Sequence, residues 1–117
     1  MTITLYGIKN CDTVKKARDW LATQQIDYRF HDFRVDGLTE SQVKQWINNI
    51  GLDTLVNKRS TTWKELDETT KSSFDAQTAV AVIVKNPTLI KRPLLDTGKQ
   101  QQVGFKAADY AQVFDQL

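Results

Sequence analysis

Cysteine, histidine and proline are scarce in this chain. Among 117 residues there are one cysteine, one histidine and two prolines. A single cysteine excludes an internal disulfide, so any redox chemistry needs a sulfur atom from a second molecule. No cysteine and histidine cluster has the spacing of metal ligands, and there is no glycine-rich phosphate loop. The sequence therefore predicts no metal site and no tightly bound cofactor.

An excess of one charge and a long apolar run are also missing. The chain has 16 Lys and Arg against 14 Asp and Glu, interleaved along its length, which does not favour a nucleic-acid partner. No stretch approaches the ~20 apolar residues of a membrane span, and the N-terminus has no signal-peptide core. We expect one cytoplasmic domain over residues 1–117, without nucleic-acid or membrane partners, and nothing demands more than a monomer.

Apolar periodicity predicts a strand, a helix and a strand at the start of the chain. Residues 3–6 alternate between apolar and polar side chains, as in a strand with one buried face. Val14, Ala17 and Leu21 then recur at helical spacing. A second strand follows through residues 28–30, and elements this closely spaced form a parallel βαβ unit.

Helix signals fill the middle of the chain, to about residue 86. Thr39 with Gln42, and Thr62 with Glu65, have the spacing of capping boxes. Gly51 is expected to end the first of these helices.

The last third predicts an antiparallel hairpin and a helix. Residues 93–95 and 101–105 flank a turn composition at residues 96–99. Apolar residues then recur at helical spacing: Ala107, Tyr110, Ala111, Phe114 and Leu117. Residues 79–84 (AVAVIV) are ambiguous, because periodicity alone favours a buried strand there.

Cys11 lies where the first strand passes through a short loop into the first helix. The free N–H groups and the macrodipole of a helix N-terminus stabilise an anion, here the nucleophilic thiolate. A buried, unreactive cysteine is the alternative from position alone. His31 would be the natural base for protease-like chemistry, but no pattern directs it at Cys11, and we expect a structural or exposed role.

Three motifs, in order, resemble the arsenate reductase (ArsC)/Spx family: YGIKNCDTVKKA at residues 6–17, NKRSTTW at 57–63 and NPTLIKRPL at 86–94. VGFK at residues 103–106 extends the resemblance towards the family's YffB-like branch. The resemblance implies an α/β, thioredoxin-like fold, βαβ followed by ββα in a mixed sheet, with a helical insertion at about residues 38–86. It also implies a helix at residues 79–84, against the local β propensity.

The resemblance implies Cys11 as nucleophile, with Arg59 and Arg92 beside it to favour the thiolate and to bind anionic groups. Dithiol members carry a second cysteine three positions on, where this chain has Val14. A monothiol cycle remains, in which an external thiol such as glutathione clears the mixed disulfide. The resemblance also implies a cis peptide bond before Pro93.

The glutathione site that the resemblance implies consists of Lys9, Asn10, Arg92, Pro93 and Lys106. Lys106 stands where arsenate reductases of this class use a third arginine, and a lysine lacks the bidentate fork that grips an oxyanion. For Lys9, simple solvent exposure is the alternative. Ser60 replaces a glycine common in the family, with an effect on its loop that the sequence leaves open.

These residues imply a glutathione-dependent thiol/disulfide reductase that acts on a small-molecule or protein disulfide. Arsenate reduction coupled to glutathione or glutaredoxin is the alternative among enzymes, and the missing third arginine argues against it. A regulator that binds RNA polymerase, as Spx-like proteins do, is the alternative of another class. Val14 removes the Cys-x-x-Cys switch that such regulators typically carry.

Overall fold

The computed structural model describes residues 2–116, and these residues contain a four-stranded mixed sheet. Its strands are β1 (Thr4–Gly7), β2 (Arg29–Asp32), β3 (Leu94–Asp96) and β4 (Gln101–Val103), in the order β2-β1-β3-β4. β1 runs parallel to β2, whereas β3 is antiparallel to both β1 and β4. The parallel pair and the hairpin expected from the sequence are both confirmed.

One helix lies between β1 and β2, one follows β4, and the others lie between β2 and β3. In chain order they are α1 (Asp12–Thr23), α2 (Phe33–Asp36), α3 (Glu40–Ile50), α4 (Leu52–Leu55), α5 (Thr61–Lys64), α6 (Glu68–Ser72), α7 (Thr78–Lys85) and α8 (Ala107–Asp115). A 3₁₀ turn, Pro87–Leu89, precedes β3. No helix among residues 2–116 has the length and apolarity that a membrane span requires.

The described residues form two compact units. Residues 2–32 and 92–116 make the first, here called the sheet unit, and Phe33–Lys91 make the second, here called the helical unit. The helical character of the middle of the chain is confirmed, and its bounds in the structure lie several residues outside the expected 38–86. The single domain over residues 1–117 stays a prediction.

The core of the sheet unit forms between β1, β3, α1 and α8. Its buried cluster consists of Leu5, Ala17, Leu21, Leu95, Tyr110 and Val113. The ring of Tyr110 makes edge contacts with Trp20 at 5.7 Å and with Phe105 at 4.7 Å between ring centroids, an arrangement that stabilises by about 0.5–1.5 kcal/mol per pair. The predicted apolar face of α1 is confirmed, because Val14, Ala17 and Leu21 are buried. The face predicted for α8 is confirmed only in part: Tyr110 is buried and Phe114 half-buried, but Ala107 and Ala111 are exposed. Leu117 lies outside the described residues.

The ambiguous run at residues 79–84 forms a helix, as the family resemblance implied, because it lies within α7. Ala79, Val80 and Ile83 are buried there, and α7 packs against α3. This contact outweighs the β propensity of the run.

α3 begins and ends as the sequence predicts. The Thr39 side chain accepts a hydrogen bond from the Gln42 N–H, and the Gln42 side chain accepts one from the Thr39 N–H, both at 3.1 Å. Gly51 follows the helix with φ 94°, in the left-handed region that glycine favours.

The second predicted capping box is wrong. The hydroxyl of Ser60, rather than that of Thr62, caps α5, by accepting the Trp63 N–H at 3.1 Å. Thr62 lies inside the helix, and its hydroxyl pairs with that of Thr88 at 2.6 Å. Ser60 lies two residues before Thr62 and accepts one of the free N–H groups of the first turn, so the helix begins after Ser60.

Candidate active site

One edge of the sheet brings together the segments that carry most of the predicted site residues. The strand register pairs Tyr6 with Leu94 and Leu94 with Val103. Because β3 is antiparallel to its two neighbours, its first residue lies beside the last residues of β1 and β4. The loop that leads to Cys11, the residue Pro93 and the loop that enters α8 therefore all leave the sheet at this edge.

Cys11 is the N-cap residue of α1. Its backbone is extended, with φ −120° and ψ 122°, and its carbonyl accepts the Lys15 N–H at 2.9 Å. Its side chain makes no capping hydrogen bond, and the thiol is free and half-buried. The sulfur is thus attached at the positive end of a 12-residue helix while remaining partly accessible, which argues against the buried, unreactive alternative.

Close packing fixes the loop that presents Cys11. A Cβ atom on Gly7 would lie 2.7 Å from Cγ2 of Val14, so glycine is required where β1 ends against the first turn of α1. Val14 is fully buried. The position of the missing second thiol is therefore filled by a side chain of the core.

Arg92 and Pro93 form the segment before β3. The peptide bond between them is cis, as the family resemblance implied. Pro93 is buried, and its carbonyl accepts the Gly104 N–H at 2.9 Å, which ties this segment to the end of β4. Arg92 lies two residues before β3 and is half-buried.

Lys106 is the N-cap residue of α8, and it is exposed. Its carbonyl accepts the Tyr110 N–H at 3.1 Å. Lys9 and Asn10, in the loop before α1, are also exposed. Lys9 is therefore exposed to solvent, as its simpler alternative stated. A role in glutathione binding stays a prediction for Lys9, Asn10 and Lys106.

Arg59 lies in the helical unit, and its place beside Cys11 stays a prediction. Its N–H donates to Oδ1 of Asn57 at 3.0 Å. The Asn57 N–H in turn donates to the carbonyl of Leu89 at 2.8 Å, which anchors this loop. Arg59 is exposed and lines a pocket of about 600 Å³.

Two further cations, which were not among the predicted site residues, line the Arg59 pocket. The pocket is lined by Asp53, Val56, Asn57, Lys58, Arg59 and Lys91. Lys58 and Lys91 each precede one of the predicted arginines in the chain, so the motifs at residues 57–63 and 86–94 already contained the signal. Three cations against one carboxylate make this pocket suited to an anion.

Ser60 has a local explanation in the same loop. Its φ of −70° is accessible to any residue, so the glycine common in the family is not required here. The Ser60 hydroxyl donates to the Asn57 carbonyl at 2.7 Å and accepts the Trp63 N–H at 3.1 Å. The substitution therefore adds a helix cap to the loop that carries Arg59.

His31 is half-buried in β2, and its ring packs on that of Tyr6 with 4.7 Å between centroids. This contact agrees with the structural role expected from the sequence.

The strand order and the cysteine at the start of the first helix define the chain as a thioredoxin-like protein. Within that class it belongs to the ArsC family, whose model matches residues 6–113. The family resemblance read from the three motifs is confirmed.

Relatives cover nearly the full length of the chain. An uncharacterized protein of Haemophilus influenzae is 52% identical over 112 residues, which are 96% of this chain and 98% of the relative. A solved structure described as a YffB protein is 40% identical with a TM-score of 0.91, and the match covers 95% of this chain and 97% of that one. The global transcriptional regulator Spx of Listeria innocua is 30% identical over 105 residues, 88% of this chain and 79% of the regulator.

Proposed function

We propose that the protein is a glutathione-dependent thiol/disulfide reductase that uses Cys11 alone. The observation that carries this proposal is the state of Cys11, a half-buried, free thiol with no capping hydrogen bond at the N-terminus of α1. Such a position favours the thiolate. Membership of the ArsC family supports thiol chemistry at this residue.

The proposed cycle has three thiol exchanges. The Cys11 thiolate attacks one sulfur of the disulfide R–S–S–R′, forms Cys11–S–S–R and releases R′–S⁻, which takes a proton from water. A glutathione thiolate attacks the Cys11 sulfur and releases R–S⁻, leaving Cys11–S–S–glutathione. A second glutathione thiolate attacks the bound glutathione sulfur and frees Cys11. The sum is one disulfide and two glutathione molecules converted to two thiols and oxidised glutathione.

The second thiol in this cycle comes from solution, because the chain has one cysteine and Val14 fills the position of a resolving thiol. Arg92 supplies permanent positive charge for the thiolate and for carboxylates. The role that the family resemblance implies for Arg59 stays a prediction. Pro93, Lys106, Lys9 and Asn10 shape the glutathione site.

Turnover tests the proposal. The purified protein is mixed with the disulfide of glutathione and 2-mercaptoethanol, together with glutathione, glutathione reductase and NADPH. We expect NADPH consumption above the uncatalysed rate, and loss of that excess in Cys11→Ser, since a hydroxyl at this position is not a nucleophile at neutral pH. Equal rates for the two proteins would contradict the proposal.

Arsenate reduction is a second candidate, favoured by membership of the ArsC family. The same assay with arsenate in place of the disulfide tests it. We expect no Cys11-dependent NADPH consumption, because Lys106 offers a point charge where a bidentate donor is expected for the oxyanion. In a matched variant, Lys106→Arg, an arsenate-dependent rate would identify this residue as the determinant.

Polymerase binding is a candidate of a different class, favoured by the 30% identity with the Listeria innocua regulator. Retention of RNA polymerase from a cell extract by the immobilised protein tests it. We expect no retention, since Val14 removes the disulfide switch, and Cys11-independent retention of polymerase would establish binding.

A further inference from the structure

A cluster of positive charge lies on α1 and in the loop before it, and the mechanism above uses only one member of it, Lys9. The cluster borders a pocket of about 260 Å³ in the sheet unit, lined by Lys9, Lys15, Arg18, Asp19, Ala22 and Tyr28. Three cations face one carboxylate there. Lys9, Lys15 and Asp19 are exposed, so solvent ions reach this surface freely.

Arg18 is held in place by two aromatic residues. Its Nε donates to the Tyr28 hydroxyl at 3.0 Å, and its guanidinium carbon lies 4.3 Å from the centroid of the Phe30 ring. Within residues 2–116, no carboxylate lies within salt-bridge distance of this guanidinium. The positive group is thus oriented in advance and unneutralised, which lowers the entropy lost when it binds an anion.

Lys15 and Arg18 follow Cys11 at i+4 and i+7, so they lie on the same side of α1 as Cys11. The Lys15 N–H donates to the Cys11 carbonyl, so Lys15 stands one turn after the cysteine. Arg18 follows at the next turn, about 10 Å along the axis from Cys11. The Arg18 side chain reaches towards β2, where it contacts Tyr28 and Phe30. Lys9 reaches the same pocket from the loop before the helix.

This spacing suits a substrate of tripeptide size. An extended tripeptide spans about 10 Å from end to end, which is comparable with the axial distance between Cys11 and Arg18.

We propose that Lys9, Lys15 and Arg18 form an anion subsite that binds a carboxylate of the small disulfide that Cys11 attacks. The inference rests on the proposed function and deepens it, because it names acidic disulfides, those that carry glutathione among them, as the preferred substrate class. Neutral and cationic disulfides gain nothing from the subsite.

A single exchange at Cys11 tests the subsite without any turnover. The second-order rate constant of the thiol is measured by stopped flow with an anionic probe, 5,5′-dithiobis(2-nitrobenzoate), and with a neutral probe, 2,2′-dithiodipyridine. We expect the anionic-to-neutral ratio to fall about five- to ten-fold in Arg18→Gln, the size of a coupling slightly above 1 kcal/mol. Added salt should lower the ratio of the native protein as well.

Two further variants distinguish an effect of the subsite from an effect of the overall charge of the protein. Lys16→Gln removes the same charge from the same helix outside the pocket, and should keep the ratio within two-fold. Phe30→Leu keeps the charge and removes the surface on which Arg18 rests, and should lower the ratio. Should Arg18→Gln fail to fold by circular dichroism, the double variant Lys9→Gln/Lys15→Gln gives the same readout.

An unchanged ratio in Arg18→Gln, or an equal fall in Lys16→Gln, would overturn the subsite. Mixed-disulfide formation with oxidised glutathione and with cystamine, followed by mass spectrometry, must show the same preference for the acidic disulfide. If the ratio responds while glutathione turnover is absent, the subsite stands and the reductase proposal fails. If turnover is present and the ratio does not respond, only the subsite fails.

Discussion

At the scale of single residues, the chemistry of this protein depends on how its one sulfur atom is presented. Cys11 is an N-cap residue without a capping bond, and Val14 behind it is fully buried. The sequence predicted the helix N-terminus from local spacing, and it predicted the lack of a second thiol from the single cysteine. It could not predict that Val14 packs against Gly7, since that contact depends on the angle at which α1 leaves β1.

Gly7→Ala is expected to lower the free energy of unfolding by about 1–3 kcal/mol. The added methyl group would lie 2.7 Å from Cγ2 of Val14, so either the loop or the valine must move. Chemical denaturation measures the change. In the background Val14→Ala, the same substitution should cost less, and a double-mutant cycle without coupling would show that the two side chains do not compete for space.

Arg92→Ala is expected to slow alkylation of Cys11 by iodoacetamide at neutral pH about three- to ten-fold. The reason is the loss of a permanent positive charge from the segment at the same sheet edge as Cys11. Arg29→Ala is the matched control, because Arg29 is an exposed cation of β2. If both variants react at the native rate, Arg92 does not affect the reactivity of Cys11.

At the scale of elements, patterns with a local cause were predicted and patterns with a tertiary cause were not. The capping box of α3 and its glycine stop were predicted, because the groups that pair are at most a turn apart. The start of α5 was placed on Thr62, whereas Ser60 makes the cap. For α7, the periodicity of the residues was insufficient, and only the family resemblance indicated a helix, which packing against α3 explains.

Ser60→Ala is expected to destabilise the protein by about 1 kcal/mol, whereas Ser60→Gly should cost only a few tenths, since glycine is tolerated at an N-cap. The loss in the alanine variant comes from the Trp63 N–H that the Ser60 hydroxyl satisfies. Thermal unfolding of the two variants beside the native protein measures both values. Thr61→Ala, one position later, is the control, and an equal loss there would show that the cap is not the cause.

At the scale of the whole sheet unit, stability depends on an aromatic core with one polar atom inside. The hydroxyl of Tyr110 is buried, and it has no hydrogen-bond partner among the described residues. Burial raises the pKa of Tyr110 well above its ordinary value. The sequence placed this residue on the apolar face of the last helix. The burial of its hydroxyl depends on tertiary packing, in which the Tyr110 ring contacts those of Trp20, Phe105 and Phe114.

Tyr110→Phe is expected to raise the free energy of unfolding at neutral pH by about 1 kcal/mol, because an unpaired hydroxyl no longer has to be buried. The pH dependence follows from the raised pKa. In the unfolded chain this tyrosine ionises near pH 10, while the folded protein keeps its proton, so the native protein loses stability as the pH rises above about 10. The phenylalanine variant should lose less over that range.

Urea denaturation between pH 7 and 11 measures both effects. Tyr28→Phe is the matched control, because its hydroxyl has a partner, Nε of Arg18 at 3.0 Å, and its removal should destabilise slightly. A strongly destabilised Tyr110→Phe would indicate that the hydroxyl has a bound partner such as a buried water.

The sequence by itself determined the order of strands and helices, the helix N-terminus at Cys11 and the monothiol character of any chemistry there, because periodicity, caps and residue counts are local properties. The tertiary structure decided the rest. Strand pairing brought the segments around Cys11, Pro93 and Lys106 to one sheet edge, packing against α3 made residues 79–84 helical, and two aromatic side chains from β2 and its approach oriented Arg18. Each of these outcomes depends on contacts between residues distant in sequence, which no local pattern records.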